Sequence, residues 1–598
     1  MLLNKLRQYH DERMENQPSL YASTPVAWIV EIDSEGRPLS SQPTSRIDDR
    51  TARGRRGLDM TAPEVQRSSN ILPFPLADTG EYTFGRPRKG RTAKRAVQQH
   101  LEYRRRLQEC AEHAGEPAVD AVLRFFKRGG ASLLDLGDDW DYEQKVTFRV
   151  HIGGGAVLPI DLPEVQRFWR LWWEREHTKL LGHCHLCGLR KPLVRILPQK
   201  LKGIRGGHTS GTLFITANEG AFESYGLKQS HVAPTCVDCA EAFSRAMNDL
   251  LKRPDGHYYA GRDTFIFWTR ERVDFNLASL MQDPDPAQLR EFLDSPDRGS
   301  RVPTVDESSF YAARLSPRAK TPRVVVRDWI DTTVGDVKRN VRQWFDLQRI
   351  VGPLGEDPTP YGLIDLAAST VGWKAGRPAS DDIAATAHGA LLRAALLSES
   401  VPDSLSYRAV RRCVAEQGFP LAPRPRQKYE ERLRLVGARA ALMKLVLLKR
   451  ESTGTKENYM VALESEHPEP AYQCGRLLAV LEQVQREAMP RVNTTVVDRF
   501  FGSASSAPVS AFARLWRGAQ PHLATLRKRD NKAAYFALQR RLEEVYDRIG
   551  EFPKSLSLEQ QALFSLGYYH QRAHDRAEAM SRRAARDGAN ANDDAAKE

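Results

Sequence analysis

Seven cysteines in 598 residues are too few, and too unevenly spread, for a disulfide framework. No stretch of about 18 apolar residues occurs, so no membrane-spanning helix is expected. The opening MLLNKLRQYHDERMENQ meets charge too early to read as a secretion signal. These features point to a cytoplasmic protein with no membrane partner. Motifs of bond-breaking chemistry are also missing. No G-K-[ST] follows the glycines at 203–211, so a Walker-type ATP site is unsupported, and no H-E-x-x-H or G-x-S-x-G occurs. H-x-E triplets begin at His10, His100 and His467, but none is followed by the P-C-x-x-C of a zinc deaminase. No internal repeat is visible. Acidic side chains are in deficit: 76 Asp and Glu against 89 Lys and Arg give a formal charge of +13 and a pI near 9.3. A large protein with that imbalance is expected to have an acidic partner, and nucleic acid is the class that remains.

The length exceeds what one core can hold and predicts roughly three to four units. The fold expected is α+β: a mixed N-terminal domain with a zinc-clipped insertion, then a C-terminal helical bundle. Strands are predicted at 25–33 (PVAWIVEID), 145–152 (KVTFRVHI), 263–269 (DTFIFWT), 309–315 and 323–329. Helices are predicted within 93–107, along the Trp-rich 164–181, and at 239–251 and 336–345. Leu477, Leu481, Val484 and Ala488 share a helix face, as do Leu538, Leu542, Val545 and Ile549, with Gly550 in the stop position. Ser557-x-x-Gln560 fits a capping box. The boundaries expected are a mixed region 1–180, an insertion 181–251, the rest of the N-terminal domain 252–352, a Gly/Pro-rich linker 353–380, a bundle 381–580 and a disordered tail 581–598.

Four of the cysteines form two C-x-x-C units, Cys184/Cys187 and Cys236/Cys239. Two such turns suit tetrahedral, structural zinc, and the 48 residues between them make an excursion clipped at its ends. Nine basic residues crowd 86–106, among them Arg86, Arg88, Lys89, Arg91, Lys94 and Arg95. Such runs neutralise backbone phosphates when they are not simply a solvated face. Between the cysteine pairs, KGIRGGHTSGTLFITAN combines glycines with Lys202, Arg205, His208, Thr209 and Ser210. That composition suits a loop entering a DNA groove, and equally a hairpin leading into a strand at Thr212–Thr216. Asp138, Asp139, Asp141 and Glu143 before Lys145 make the one carboxylate cluster, read as a solvated turn rather than a nuclease centre.

Several segments together resemble the large subunit of type I-C CRISPR Cascade, the Csd-type family. They are LLNKLRQYHDE followed by PVAWIVEID, QRSSNILPFPLADTGEYTFG at Gln66–Gly85, LKGIRGGHTSGTLFITANEGAFESYG, DRFFGSASSAPVSAF and LSLEQQALFSLGYYHQR. They spread from residue 2 to residue 572, with Phe222–Gly226 the most distinctive. The resemblance implies a non-enzymatic subunit near the 5′ end of the guide crRNA. It would recognise a short protospacer-adjacent motif, begin R-loop formation on double-stranded target DNA and dock a helicase–nuclease. Its other partners would be the backbone, crRNA-end-binding and small Cascade subunits and the displaced strand. It also implies that the C-terminal bundle resembles a Cascade small subunit, which an internal start at Met460, Met443 or Met489 can release. On this basis the loop Arg67, Ser68, Ser69, Asn70 and the loop Lys202–Ser210 are assigned to the motif duplex. Ile71, Leu72 and Phe74 are wedge candidates, and Arg514, Arg517, Arg527, Lys528 and Arg529 would line a strand path. The alternatives are a metal-dependent nuclease and a zinc-containing DNA-binding regulator acting without RNA.

Overall fold

The computed structural model describes residues 2–595 apart from 16, 49, 51–55, 68–70, 89, 91, 138–139, 218, 224, 272–276, 283, 286, 290–307, 319–322, 375, 417–425, 451–459, 492–493 and 530–531; at 278, 282, 426–428, 449–450 and 585–595 only the backbone is described. Helix and sheet are both present, as α+β predicts, with the C-terminal part helical. The chain separates into two compact units. One is Met1–Arg253 with Ser316–Val325, and the other is Pro254–Leu315 with Val326–Glu598.

In the first unit, the apolar run 25–33 divides at Ala27 between two sheets. Tyr21–Val26 pairs antiparallel with Leu58–Pro63, while Trp28–Asp33 runs parallel to Lys145–Ile152. Ala77–Thr79 and Thr44–Ser45 extend the second sheet. The long helix Ala93–Ala114 packs on Pro117–Lys127 and on the Trp-rich helix Pro163–His177. Trp169 and Trp172 stack at 5.4 Å, so that helix is core. Arg106, the last residue of the basic run, is drawn in with them and lies 3.3 Å over the Trp172 ring, where burial pushes its pKa down to about 10. The N-terminal helix Leu2–Arg13 packs along Val237–Lys252.

The second unit begins with a four-stranded sheet in the order His257–Ala260, Asp263–Thr269, Ser309–Pro317, Val324–Thr333. One continuous apolar core joins this sheet to the helices that follow. The expected linker at 353–380 lies inside that core: Tyr361, Leu363, Leu366 and Ala367 are buried, and Leu363–Ala368 is helical. The division of the chain therefore falls at Arg253/Pro254, because the strands from 257 on bury their apolar faces against the C-terminal helices. The last helix, Leu558–Ala595, also extends through most of the tail expected to be disordered; its sequence after Leu558 carries no proline to stop it.

Pro470–Ala488 is the central helix of this part, flanked by Val496–Ala504, Pro508–Arg527, Ala533–Ile549 and Leu558–Ala595. Leu477, Leu481, Val484 and Ala488 are all buried, as their spacing predicts. Ser557 and Gln560 exchange both capping bonds, 3.0 and 3.3 Å. The crossing with the last helix is set by two glycines. A Cβ on Gly475 would sit 1.9 Å from the Phe564 carbonyl oxygen, and one on Gly567 would sit 2.1 Å from that of Tyr472. Gly475→Ala must push the two helices apart, at a cost of about 3 kcal/mol, the upper end for overpacking. Urea unfolding is expected to show that loss, whereas Gly518→Ala, at a helical position with open space around it, should be neutral or better.

Candidate functional site

The cysteine turns meet at the junction of a hairpin and a helix. Leu180–His183 pairs with Arg190–Leu193, and Cys184 and Cys187 lie on the turn between these strands. Cys236 caps the helix Val237–Lys252 and Cys239 lies in its first turn. Leu193 bridges to Cys236, the Val194 amide donates to the Thr235 carbonyl at 2.9 Å, and the His185 amide donates to that of Pro234 at 2.9 Å. All four Sγ atoms lie within 4.8 Å of one another. Tetrahedral bonds of about 2.3 Å need sulfurs about 3.8 Å apart, and Cys187 and Cys236 are at 3.9 Å. The hydrogen bond from Cys239 pulls the Cys236 pKa down, and the Cys239 thiol is pushed up in return. Arg7 donates to the Cys239 sulfur at 3.3 Å, and Arg170 and Lys191 hold Asp238 beside the cluster. Among the described residues this is the group of His, Cys, Asp or Glu that can hold a metal ion. His183, His185, His208 and His231, close to the cysteine pairs in sequence, are not part of it.

The excursion that this cluster closes carries the glycine-rich loop. Leu201 and Thr212 exchange amide–carbonyl bonds at 2.8 Å and form its neck. Past Thr212 no strand forms; the continuation is a single bridge from Leu213 to Arg323. Ile204 is buried as an anchor, while Lys202, Arg205, His208, Thr209 and Ser210 are exposed. A Cβ on Gly207 would meet the Thr212 hydroxyl at 2.6 Å, so the turn needs glycine there. Asn248 pins the base of the loop, accepting from the Lys202 amide at 2.8 Å and donating to the Lys200 carbonyl at 3.0 Å.

Beside this loop lies a cleft of about 590 Å³. Its walls come from the segment Glu64–Arg67, from Lys200, Lys202 and Ser210, and from Arg245, Asn248, Asp249 and Lys252 on the Val237–Lys252 helix. Burial forces most of these charges into pairs. Arg67 is bound to the fully buried Asp78, donates to the Leu72 carbonyl at 2.9 Å and lies 3.8 and 4.3 Å over the Phe74 and Tyr82 rings. Burial works against its charge, but Asp78 more than compensates and its pKa is raised. Lys145 pairs with Glu64, whose carboxyl is held low by that lysine against the cost of burial. Arg245 donates to the carbonyls of Gln17, Pro18 and Tyr21 and pairs with Glu241. Asp249 accepts from the Tyr9 hydroxyl at 2.7 Å. Lys200 reaches only the Ser210 hydroxyl, at 3.1 Å. Lys202 and Lys252 are exposed and, like Lys200, form no direct ion pair among the described residues, although Lys202 lies near enough to help hold the Glu64 carboxyl low.

Of the expected interface residues, Arg67, Lys202 and Ser210 come together at this cleft, with Arg205, His208 and Thr209 on the same loop. Ser68, Ser69, Asn70, Lys89 and Arg91 lie outside the described residues. Arg86 bonds the Tyr142 hydroxyl and Arg88 is paired with Glu143 and Glu81; Lys94 and Arg95 are exposed at the start of their helix. Leu72 and Phe74 are not wedges, since both are buried and Phe74 packs edge-on to Trp169. In the second unit Arg514, Arg517, Arg527, Lys528 and Arg529 are all exposed, although Arg529 also caps the central helix through the Glu487 carbonyl at 2.9 Å. Of the acidic turn before Lys145, Asp138 and Asp139 lie outside the described residues; Glu143 faces Arg88, Gln144 accepts from Trp28 and Lys145 takes Glu64.

Residues that the sequence reading missed are Lys200, Arg245, Asn248 and Lys252. For the last three the signal was a polar stripe, Glu241, Arg245, Asn248, Lys252, at helical spacing; Lys200 carried none. Tyr225 was also passed over as a side chain. It stands 98% exposed with a left-handed φ of 52°, on a loop closed by two bonds between Ala217 and Gln229 and anchored by Phe222 under Arg318 and Arg323.

A thiol-clipped α+β unit with a cationic cleft, followed by a largely helical second unit, is the class these features define. The family model for CRISPR-associated protein (Cas_Csd1) matches residues 3–575, and the chain belongs to that family. No curated protein matches it. Among the described residues no helix is long and apolar enough to cross a membrane.

Asp78 is the keystone of the cleft wall, accepting from Arg67 and from the amides of Phe74 and Thr79. Asp78→Ala leaves Arg67 charged and unpaired and should cost about 3–5 kcal/mol. The paired change Arg67→Met with Asp78→Ala should recover part of this in a thermal melt.

Proposed function

We propose that this protein is the nucleic-acid-binding large subunit of a type I-C CRISPR surveillance complex. In this reading it recognises the protospacer-adjacent motif, promotes R-loop formation and docks the helicase–nuclease, and breaks no bonds itself. The observation that carries the reading is the meeting, at one cationic cleft, of the Arg67 and Lys202–Ser210 segments, which are far apart in sequence and both resemble that subunit. Family membership supports the CRISPR association directly. Phosphates are held by Lys200, Lys202, Lys252 and Arg205, and His208, Thr209 and Ser210 face the groove with short donors. Tyr225 supplies an aromatic face on which a base can stack. Guide crRNA, the other Cascade subunits and target DNA with its displaced strand are the partners.

In the same reading the four cysteines hold structural zinc, all four coordination positions being taken by thiolates. The C-terminal helices are the counterpart of a small subunit. Of the three internal methionines, Met460 lies between helices, whereas Met443 lies within Arg426–Arg450 and Met489 follows Pro470–Ala488, so a start at either would cut or discard a core helix.

The test is purification with the neighbouring subunits. Guide RNA should co-elute, and Lys202→Ala with Arg205→Ala should weaken motif-dependent DNA capture while RNA stays bound, the defect growing with salt. RNA-free protein that cleaves DNA with a divalent cation would instead support the nuclease reading, and sequence-specific DNA binding without RNA the regulator. Elemental analysis should find about one zinc per chain. Cys236→Ser should lower zinc content and melting temperature together, because the metal contributes directly to folding. A fully folded, metal-free wild type would remove zinc from the account.

A further inference from the structure

We infer that the cleft beside the glycine-rich loop is a pocket for a single unstacked nucleotide, its phosphate on Lys200, Lys202 and Lys252 and its base edge on the Gln66 amide. The inference rests on the proposed nucleic-acid role and narrows it to one chemical unit. A volume of about 590 Å³ falls within the ~300–1,000 Å³ of pockets that enclose one small ligand. Base-paired DNA is far too wide to enter. The charge is arranged for one phosphate. Arg67, Lys145 and Arg245 are neutralised in place by Asp78, Glu64 and Glu241, whereas Lys200, Lys202 and Lys252 form no direct ion pair among the described residues. Desolvation already depresses the Lys200 pKa, a cost that an anion would reverse.

The base is argued from a separate observation. Gln66 lines the cleft, its amide nitrogen on the backbone is bound to the Pro198 carbonyl, and its buried side-chain Oε1 has no hydrogen-bond partner. An unsatisfied buried acceptor of that kind costs about 1–3 kcal/mol, and once the Gln66 side chain turns into the cleft an exocyclic amine or ring N–H of a base supplies the missing donor. The Arg67 guanidinium, fixed against Phe74 and Tyr82, adds a rigid cation to the same wall. A free phosphate would satisfy the lysines and leave Gln66 unpaired. A nucleotide uses both.

The unit can come from DNA or from the guide, and 2-aminopurine distinguishes them. The probe is placed singly at each position of the motif-flanking DNA in one series and of the 5′ guide segment in another, and the full guide-loaded complex is assembled. One position in one series should brighten severalfold as its base leaves the stack. Gln66→Leu should reduce that rise, and Lys252→Glu, an exposed change that leaves the cleft walls folded, should reduce it too. Normal DNA capture with no bright position, or a rise indifferent to both variants, would overturn the pocket and leave the proposed function standing. A complex that neither retains RNA nor captures DNA would overturn both.

Discussion

Four thiols within 4.8 Å of one another fix where the excursion 188–235 begins and ends, and the placement of the glycine-rich loop follows from that. Without the cluster, 48 residues with little regular structure would be held by a few backbone bonds at their neck. Closing a loop of that length with a cross-link is worth about 4 kcal/mol in the chain-entropy account; a metal held by the four thiols would instead add its binding energy to the folded state. The second half of the cluster is also the first turn of Val237–Lys252. The helix therefore leaves the clip in a fixed direction, and the side chains two to four turns along it, Arg245, Asn248 and Lys252, reach the cleft as consequences of that anchor. Asn248 then binds the loop on both sides of Leu201, so the same helix that starts at the clip also sets the loop's base.

Desolvation decides which charges at the cleft remain available. Arg67, Lys145 and Arg245 belong to the scaffold: each is paired or spent on backbone carbonyls. Removing one partner from such a pair is expensive, and ligand binding does not take them away. Only the lysines at the rim keep their charge for something outside the protein. A count of basic residues thus overstates the interface, and Arg67 and Arg106 are the clearest cases.

This also explains what the sequence made legible. Strands at 145–152 and 263–269 and the Ser557 cap were readable because each depends on neighbours in the chain: alternation, flanking glycines, a four-residue box. The four-cysteine cluster was readable because its spacing is itself the chemistry. The cleft was only half visible. Arg67 and Lys202 could be singled out, but their different roles depend on the ion pair of Arg67 with Asp78 and on Lys202 forming no such pair among the described residues, both tertiary facts. Leu72 and Phe74 look identical as core or as wedge until Trp169 is in place. The division of the chain was missed for a similar reason. Glycine and proline at 353–380 mark turns, yet turns can be buried when Tyr361 and Leu366 have a core to enter.

The second unit carries the argument one step further. Its central helix touches the last one through Gly475 and Gly567, at distances that admit no side chain. Around that crossing, the buried Glu482 accepts from Tyr568 at 2.7 Å and is paired with Arg572 and with the exposed Arg486. Close backbone approach and the pairing of Glu482 with Arg572 commit this contact to the fold. The cations that do face solvent, Arg514, Arg517, Arg527 and Lys528, lie on or just beyond Pro508–Arg527, a flanking helix outside that crossing. Charge available to a polyanion therefore sits, in both units, on elements braced by the core rather than within it. That separation lets phosphate contacts form and break without unpairing the charges that hold the fold.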